Sequence, residues 1–287
     1  MGVIPMRIFC VFLVLAVSFG GQMSPVALAA EETGQTGFSV DDGEKIDVPL
    51  ITQAAMDNLW SDLWKLPCFI VEEDKEIASV DDYVMALLLA GGGSIALHSS
   101  GADGKIADGF EDKQILGKFS DEMTYFLGGP GFHFAATGLW YLMSESSGDA
   151  VNNERAWTML KALSVTGATT LGMKLIRNND TPNGKPLAWP SGHTSSSFTV
   201  AAVLDELYGP EIGVPAYVGA GFVGYRMMES GDHWASDVLF GAVLGYVVGH
   251  HIGGKHEDIK VAGFKVVPFS EATRDGAAMG VRLVKKF

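Results

Sequence analysis

The chain has 287 residues and carries 20 Lys+Arg against 34 Asp+Glu, a net charge of −14. That balance lacks the basic footprint of a general nucleic-acid binder. The length suits one large domain or two small ones.

At the N-terminus, Arg7 precedes an apolar run from Ile8 to Phe19, and Ala27 and Ala29 form an Ala-x-Ala site ahead of Glu31 and Glu32. This is the pattern of a secretory signal peptide, with cleavage expected after Ala29. The apolar run is short for a membrane span of ~20 residues. Residues 1–29 are thus expected to be removed, leaving a periplasmic or secreted protein. Only Cys68 of the two cysteines would remain, which rules out an internal disulfide. Cys68 reads as a small buried apolar residue rather than a nucleophile.

Residues 30–49 are polar and acidic and read as an irregular leader. "ITQAAMDNLWSDLWKL" has helical spacing, with Leu59, Leu63 and Leu66 near one face. The charged stretch "VEEDKE" precedes a helix from Asp81 to Ala90, which Gly91, Gly92 and Gly93 interrupt or end. Residues 101–113, rich in Gly and Asp, read as a loop. From there the chain is apolar and helical. Helices are expected at about 121–127, 131–144, 153–177, 192–208, 214–229 and 234–251, separated by Gly-, Pro- and Asn-containing turns. Val238–Val248 is apolar all round, and its 11 residues suit a buried core helix better than a membrane helix. "IKVAGFKVVPF" and "GVRLVKKF" alternate, which is compatible with a short C-terminal hairpin. The expected organisation is a signal peptide (1–29), N-terminal leader and helices packing on the core (30–119), a core (120–255) and a tail (256–287).

Chemistry concentrates in two places. In "LAWPSGHTSSSF", Pro190 ends a loop, Ser191 suits an N-cap, and Gly192 allows close approach to the backbone. The first amides of the following helix favour an anion, with His193 beside it as a proton donor. The same four residues also suit a simple capped helix with a partly buried histidine. In "SGDHWASDVLFG", His233 and Asp237 are four apart and share a helix face. The carboxylate can orient the imidazole and leave the other ring nitrogen as base or nucleophile; a solvated pair is the alternative. The 192–208 and 214–229 helices are each about 24 Å long. As an antiparallel pair they would return the chain from His193 to His233 at the same level. The 153–177 helix would bring Lys174 and Arg177 to that end. Gly241, Gly245 and Gly249 continue the four-residue spacing and read as a packing stripe. Trp189 and Trp234 could wall a pocket or pack in the core. His98, His133 and His256 have no partner at metal-ligand spacing, and His250-His251 has no nearby Cys, Asp or Glu ligand in its motif.

Together these residues resemble the type 2 phosphatidic acid phosphatase superfamily, which includes bacterial acid phosphatases, lipid phosphatases and vanadium haloperoxidases. Its signature is Lys, six residues, Arg-Pro; then Pro-Ser-Gly-His; then Ser-Arg, five residues, His, three residues, Asp. Pro190–His193, His233, Asp237 and Lys174 match, over a resemblance spanning about residues 120–252. Two arginines do not: Thr181 stands at the first position and Met227 at the second.

The resemblance implies an all-α bundle of the acid phosphatase/vanadium haloperoxidase type. It implies that His233 attacks phosphorus, Asp237 orients it, and His193 protonates the leaving oxygen. Lys174, Ser191 and the Gly192 amide would hold phosphate oxygens, with neither metal nor other cofactor needed. Arg226 is the first candidate to replace the missing arginines and Arg177 the second; Lys185 reads as an ordinary exposed cation. The expected substrate is a phosphate monoester, soluble or lipid, with transient membrane-lipid contact. The alternatives are a vanadium-dependent haloperoxidase and a non-catalytic anion- or lipid-binding protein.

Overall fold

A computed structural model describes residues 51–111, 118–254, 260–261, 264–273 and 276–284. The signal peptide and leader expected over residues 1–49 lie outside the described residues. Among the described residues ten α-helices run in chain order: α1 (Gln53–Leu63), α2 (Leu66–Ile77), α3 (Asp81–Ser99), α4 (Ala102–Glu111), α5 (Lys118–Leu127), α6 (Pro130–Ser147), α7 (Ala150–Arg177), α8 (Gly192–Tyr208), α9 (Pro210–Glu229) and α10 (Ala235–Gly254). Three short strands follow, β1 (Lys260–Val261), β2 (Phe264–Thr273) and β3 (Gly276–Val284), paired antiparallel with Phe269 opposite Gly280. The molecule is an all-α bundle, and the β2–β3 hairpin lies in the tail.

Local chemistry sets several helix ends. The Thr52 hydroxyl accepts from Ala55 N–H, and the Asp149 carboxylate accepts from Asn152 N–H at 3.0 Å. Gly148 ends α6 at φ 71°, where a side chain would be strained.

The centre of the bundle is α8. It packs on α10, α9 and α7, and α10 also lies against α3. Buried Phe240, Leu244, Val247 and Val248 of α10 meet Tyr83 and Ala90 of α3 and Val165 of α7. The glycine stripe brings α10 close to α8: a Cβ on Gly245 would sit 2.1 Å from the Ser195 carbonyl oxygen. α10 is long and apolar enough to cross a membrane, with 67% of that window buried in the bundle. It spans 20 residues, well beyond the 11-residue apolar run read from the sequence.

Three expectations are corrected. α3 continues through Gly91–Gly93, although each glycine costs ~1 kcal/mol against Ala in a helix. Close packing offsets that cost, since Cβ atoms at Gly91 and Gly93 would touch Phe240 and Leu239. The segment read as a loop at 101–113 contains α4. Its Asp103 is buried and accepts from the Ser236 N–H at 3.0 Å and the Ser236 hydroxyl at 2.6 Å. This long-range anchor is invisible in local composition. Cys68 is exposed, because α2 turns Leu66, Phe69, Ile70 and Ile77 toward the core instead.

Candidate active site

The loop between α7 and α8 folds over the turn between α9 and α10. Asn183 N–H donates to the Gly231 carbonyl at 3.1 Å, and Ser191 N–H donates to the Asp237 carbonyl at 3.1 Å. These bonds set the start of α8 beside the start of α10, so His193 and His233 face one cleft although they are 40 positions apart. The cleft has a volume of about 140 Å³ and is lined by Lys174, Thr181, Lys185, His193, Met227, Asp232 and His233, with Tyr125, Pro186 and Leu187.

His233 is buried, and its Nδ1 lies 3.4 Å from Asp237 Oδ2. The same carboxylate oxygen accepts from the Trp234 N–H at 3.0 Å, which holds it in place. Burial pushes the His233 imidazole pKa down, against the opposing pull of the Asp237 hydrogen bond. The ring is therefore neutral at pH 7, with Nε2 as the nitrogen turned away from the carboxylate. His193 is pushed down to about 4 by burial and by neighbouring His233. Its ring donates to the Tyr125 backbone carbonyl and lies 4.6 Å from the Tyr125 ring, centroid to centroid. Lys174 is lowered to about 8 by burial, while Asp237 opposes the shift. Its ammonium donates to the Leu187 carbonyl and, at 3.0 Å, to the Ala188 carbonyl.

Of the residues singled out from sequence, Lys174, His193 and His233 meet in the cleft, and Asp237 stands behind His233. Ser191 is fully buried and is occupied within its own helix: its hydroxyl accepts from Thr194 N–H at 3.4 Å and from the Thr194 hydroxyl at 3.0 Å. Gly192 lies beside the Lys174 side chain, 3.9 Å from its Cε if a Cβ were added. Neither arginine lines the cleft. The guanidinium of Arg226 is buried and paired with Glu229. Met227 takes the cleft wall instead, as one residue on a helix turns the side chain by ~100°. The Arg177 guanidinium stacks on Trp189, 5.0 Å from the ring centroid.

The cation that sequence reasoning set aside is Lys185. It lines the cleft and donates to Asp232 at 2.7 Å. The available signal was its place in the loop joining Lys174 to Pro190. Trp189 and Trp234 belong to packing rather than to the cleft wall. Trp189 donates to Ser94 Oγ and Trp234 to the Asp180 carbonyl.

A second cleft of about 350 Å³ adjoins the first across the end of α5. Tyr125 lines the polar cleft, whereas Met123, Thr124 and Leu127 line the apolar one with Val200, Ala220, Phe222 and Val223. Phe222 of this lining is exposed, as are Val214 and Val218 on the same helix α9 and Phe126 on α5.

Residues 173–253 match the PAP2 superfamily. A lipid A 1-phosphatase of Porphyromonas gingivalis is 42% identical over 65 residues, 22% of this chain and 15% of that protein's length. The chain thus matches only a small part of that relative. A crystal structure described as the first transmembrane PAP2 type phosphatidylglycerolphosphate phosphatase, from Bacillus subtilis, aligns with TM-score 0.52 at 20% identity, covering 63% of this chain and 98% of that one. The crystal structure of Aquifex aeolicus LpxE aligns with TM-score 0.42 at 20% identity, covering 50% and 90%.

Proposed function

We propose that this chain, whose residues 173–253 form a PAP2 superfamily domain, hydrolyses a lipid phosphate monoester through a phosphohistidine. The observation that carries the reading is the convergence of His233, His193 and Lys174 on one cleft that adjoins an apolar one. His233 Nε2 attacks phosphorus as the ester P–O bond breaks. His193, doubly protonated in the substrate complex, gives one ring proton to the leaving oxygen and is left as the neutral imidazole. Water then attacks the phosphohistidine, releasing phosphate and free His233. Lys174 balances charge on the transferring group, a role that needs a preset cation in a site shielded from water. The bound anion also raises the pKa of His193, counteracting its burial. Neither step draws on a cofactor.

Lys185 takes over part of the work of the two absent arginines. The apolar cleft suits an acyl chain, and the apolar rim on α5 and α9 suits transient contact with a membrane surface. A lipid A phosphatase among the similar proteins supports a lipid substrate. The signal-peptide pattern supports work outside the cytoplasm as an exported protein.

The test is acid quench of enzyme mixed with phosphorus-labelled lipid phosphate in mixed micelles, beside a soluble aryl phosphate. Label trapped on His233 and a preference for the lipid support the proposal. Turnover in purified His233→Ala excludes the nucleophile. Thr181 and Met227 at the arginine positions favour a second reading, a binding protein without turnover. Saturable phosphate binding with no hydrolysis of either ester would select it.

A further inference from the structure

We propose that Glu73, Glu76 and His251 form a structural site for a divalent transition metal of the zinc class, clipping α2 to the C-terminal end of α10. His251 Nε2 lies 3.0 Å from a Glu73 carboxylate oxygen and 3.9 Å from one of Glu76. All three donor atoms lie within 4.8 Å of one another. Donors on a tetrahedral zinc at 2.0–2.2 Å stand about 3.4 Å apart, and the two measured separations bracket that spacing. The glutamates are three apart on α2 and so share a face.

The His251 side chain has no solvent exposure and that of Glu73 has 17%. Its ring is braced by Tyr83, which meets it edge-on at 5.4 Å and 89°. Neighbouring His250 turns away to Glu206 and is not a fourth donor. Two carboxylates face one buried imidazole. A divalent ion balances both and binds the imidazole in its neutral form. One nitrogen and two carboxylate oxygens suit zinc, whereas magnesium and calcium favour all-oxygen sets. Water would complete the coordination.

The site is remote from the phosphate cleft, because His251 lies 14 positions after Asp237 on α10, about 21 Å along the axis. Its role is therefore to fasten helices, and it is independent of the hydrolytic reading.

The experiment uses the purified full-length chain without a polyhistidine tag, stripped with chelator and titrated with Zn²⁺ by calorimetry. Co²⁺ serves as an absorbing substitute. The expected result is one equivalent bound per chain, visible bands of four-coordinate cobalt, and a melting temperature that rises with free Zn²⁺. Glu76→Gln, at a side chain that is 55% exposed, should weaken binding at least tenfold. Glu73→Gln should weaken it too. Exposed Glu72→Gln should leave it unchanged, and so should His233→Ala, which removes a histidine of the phosphate cleft. Absence of saturable binding overturns the site. So does binding that persists in Glu76→Gln or that disappears in His233→Ala.

Discussion

Replacing Lys174 by Met should separate stability from activity. Burial lowers this ammonium from 10.5 to about 8. Below pH 8 the lysine is charged in both folded and unfolded chains, so the fold bears the full cost of the shift, about 3 kcal/mol. The cost fades as pH rises from about 8 toward 10.5, where the folded lysine is neutral and the unfolded one is not. Methionine avoids it but abandons the bonds to the Leu187 and Ala188 carbonyls, each contributing about 1 kcal/mol. The net expectation is a gain of about 1 kcal/mol below pH 8, or roughly 2–4 °C in Tm. This advantage should shrink between pH 8 and 10.5. Activity should move the other way, with kcat/KM on a lipid phosphate falling roughly a hundredfold. Thermal melts across that pH window, with initial rates on the same preparations, check both halves. A variant that melts several degrees lower, or that keeps full activity, would refute the reasoning.

If the proposed hydrolysis holds, the wild-type protein should lose kcat/KM as pH rises through about 8, because the free site then loses the Lys174 proton; a flat profile from pH 7 to 9.5 would contradict this. Lys185→Met should raise KM about fivefold to tenfold, a modest effect because this cation is 66% exposed and screened by solvent. Arg226→Met should instead cost about 3 kcal/mol of stability by stranding the buried Glu229 carboxylate, with near-normal rates per folded molecule; denaturant melts alongside active-site titration distinguish the two. His233→Ala should remove turnover by roughly a thousandfold or more without lowering Tm, read by rates and melts. Gly245→Ala should destabilise by roughly 3 kcal/mol, because its Cβ would strike the Ser195 backbone carbonyl, which no side-chain rotation can relieve.

What the sequence determined by itself is what local spacing controls. Ser191 ahead of an apolar run announces a cap, and the structure has that cap. His233 and Asp237, four apart, had to share a face, and they meet. Glycines at 241, 245 and 249 predicted close helix contact, which α8 supplies. The similar lengths of α8 and α9, 17 and 20 residues, even carried His193 and His233 to one cleft. Tertiary structure decided what depends on partners far along the chain. Gly91–Gly93 stay helical because α10 packs on them, and Asp103 sits in a helix that anchors Ser236. A single residue of helical rotation turned Arg226 into the interior toward Glu229 and put Met227 on the cleft. Lys185 entered the site because the loop folds back over the α9–α10 turn. His251 was set aside for want of ligands in its own motif, yet Glu73 and Glu76 stand beside it from a helix some 175 positions away. Periodicity reports which way a side chain faces along its own helix. Which neighbour waits there is set by packing, whose free energy belongs to the assembled bundle and to no single segment.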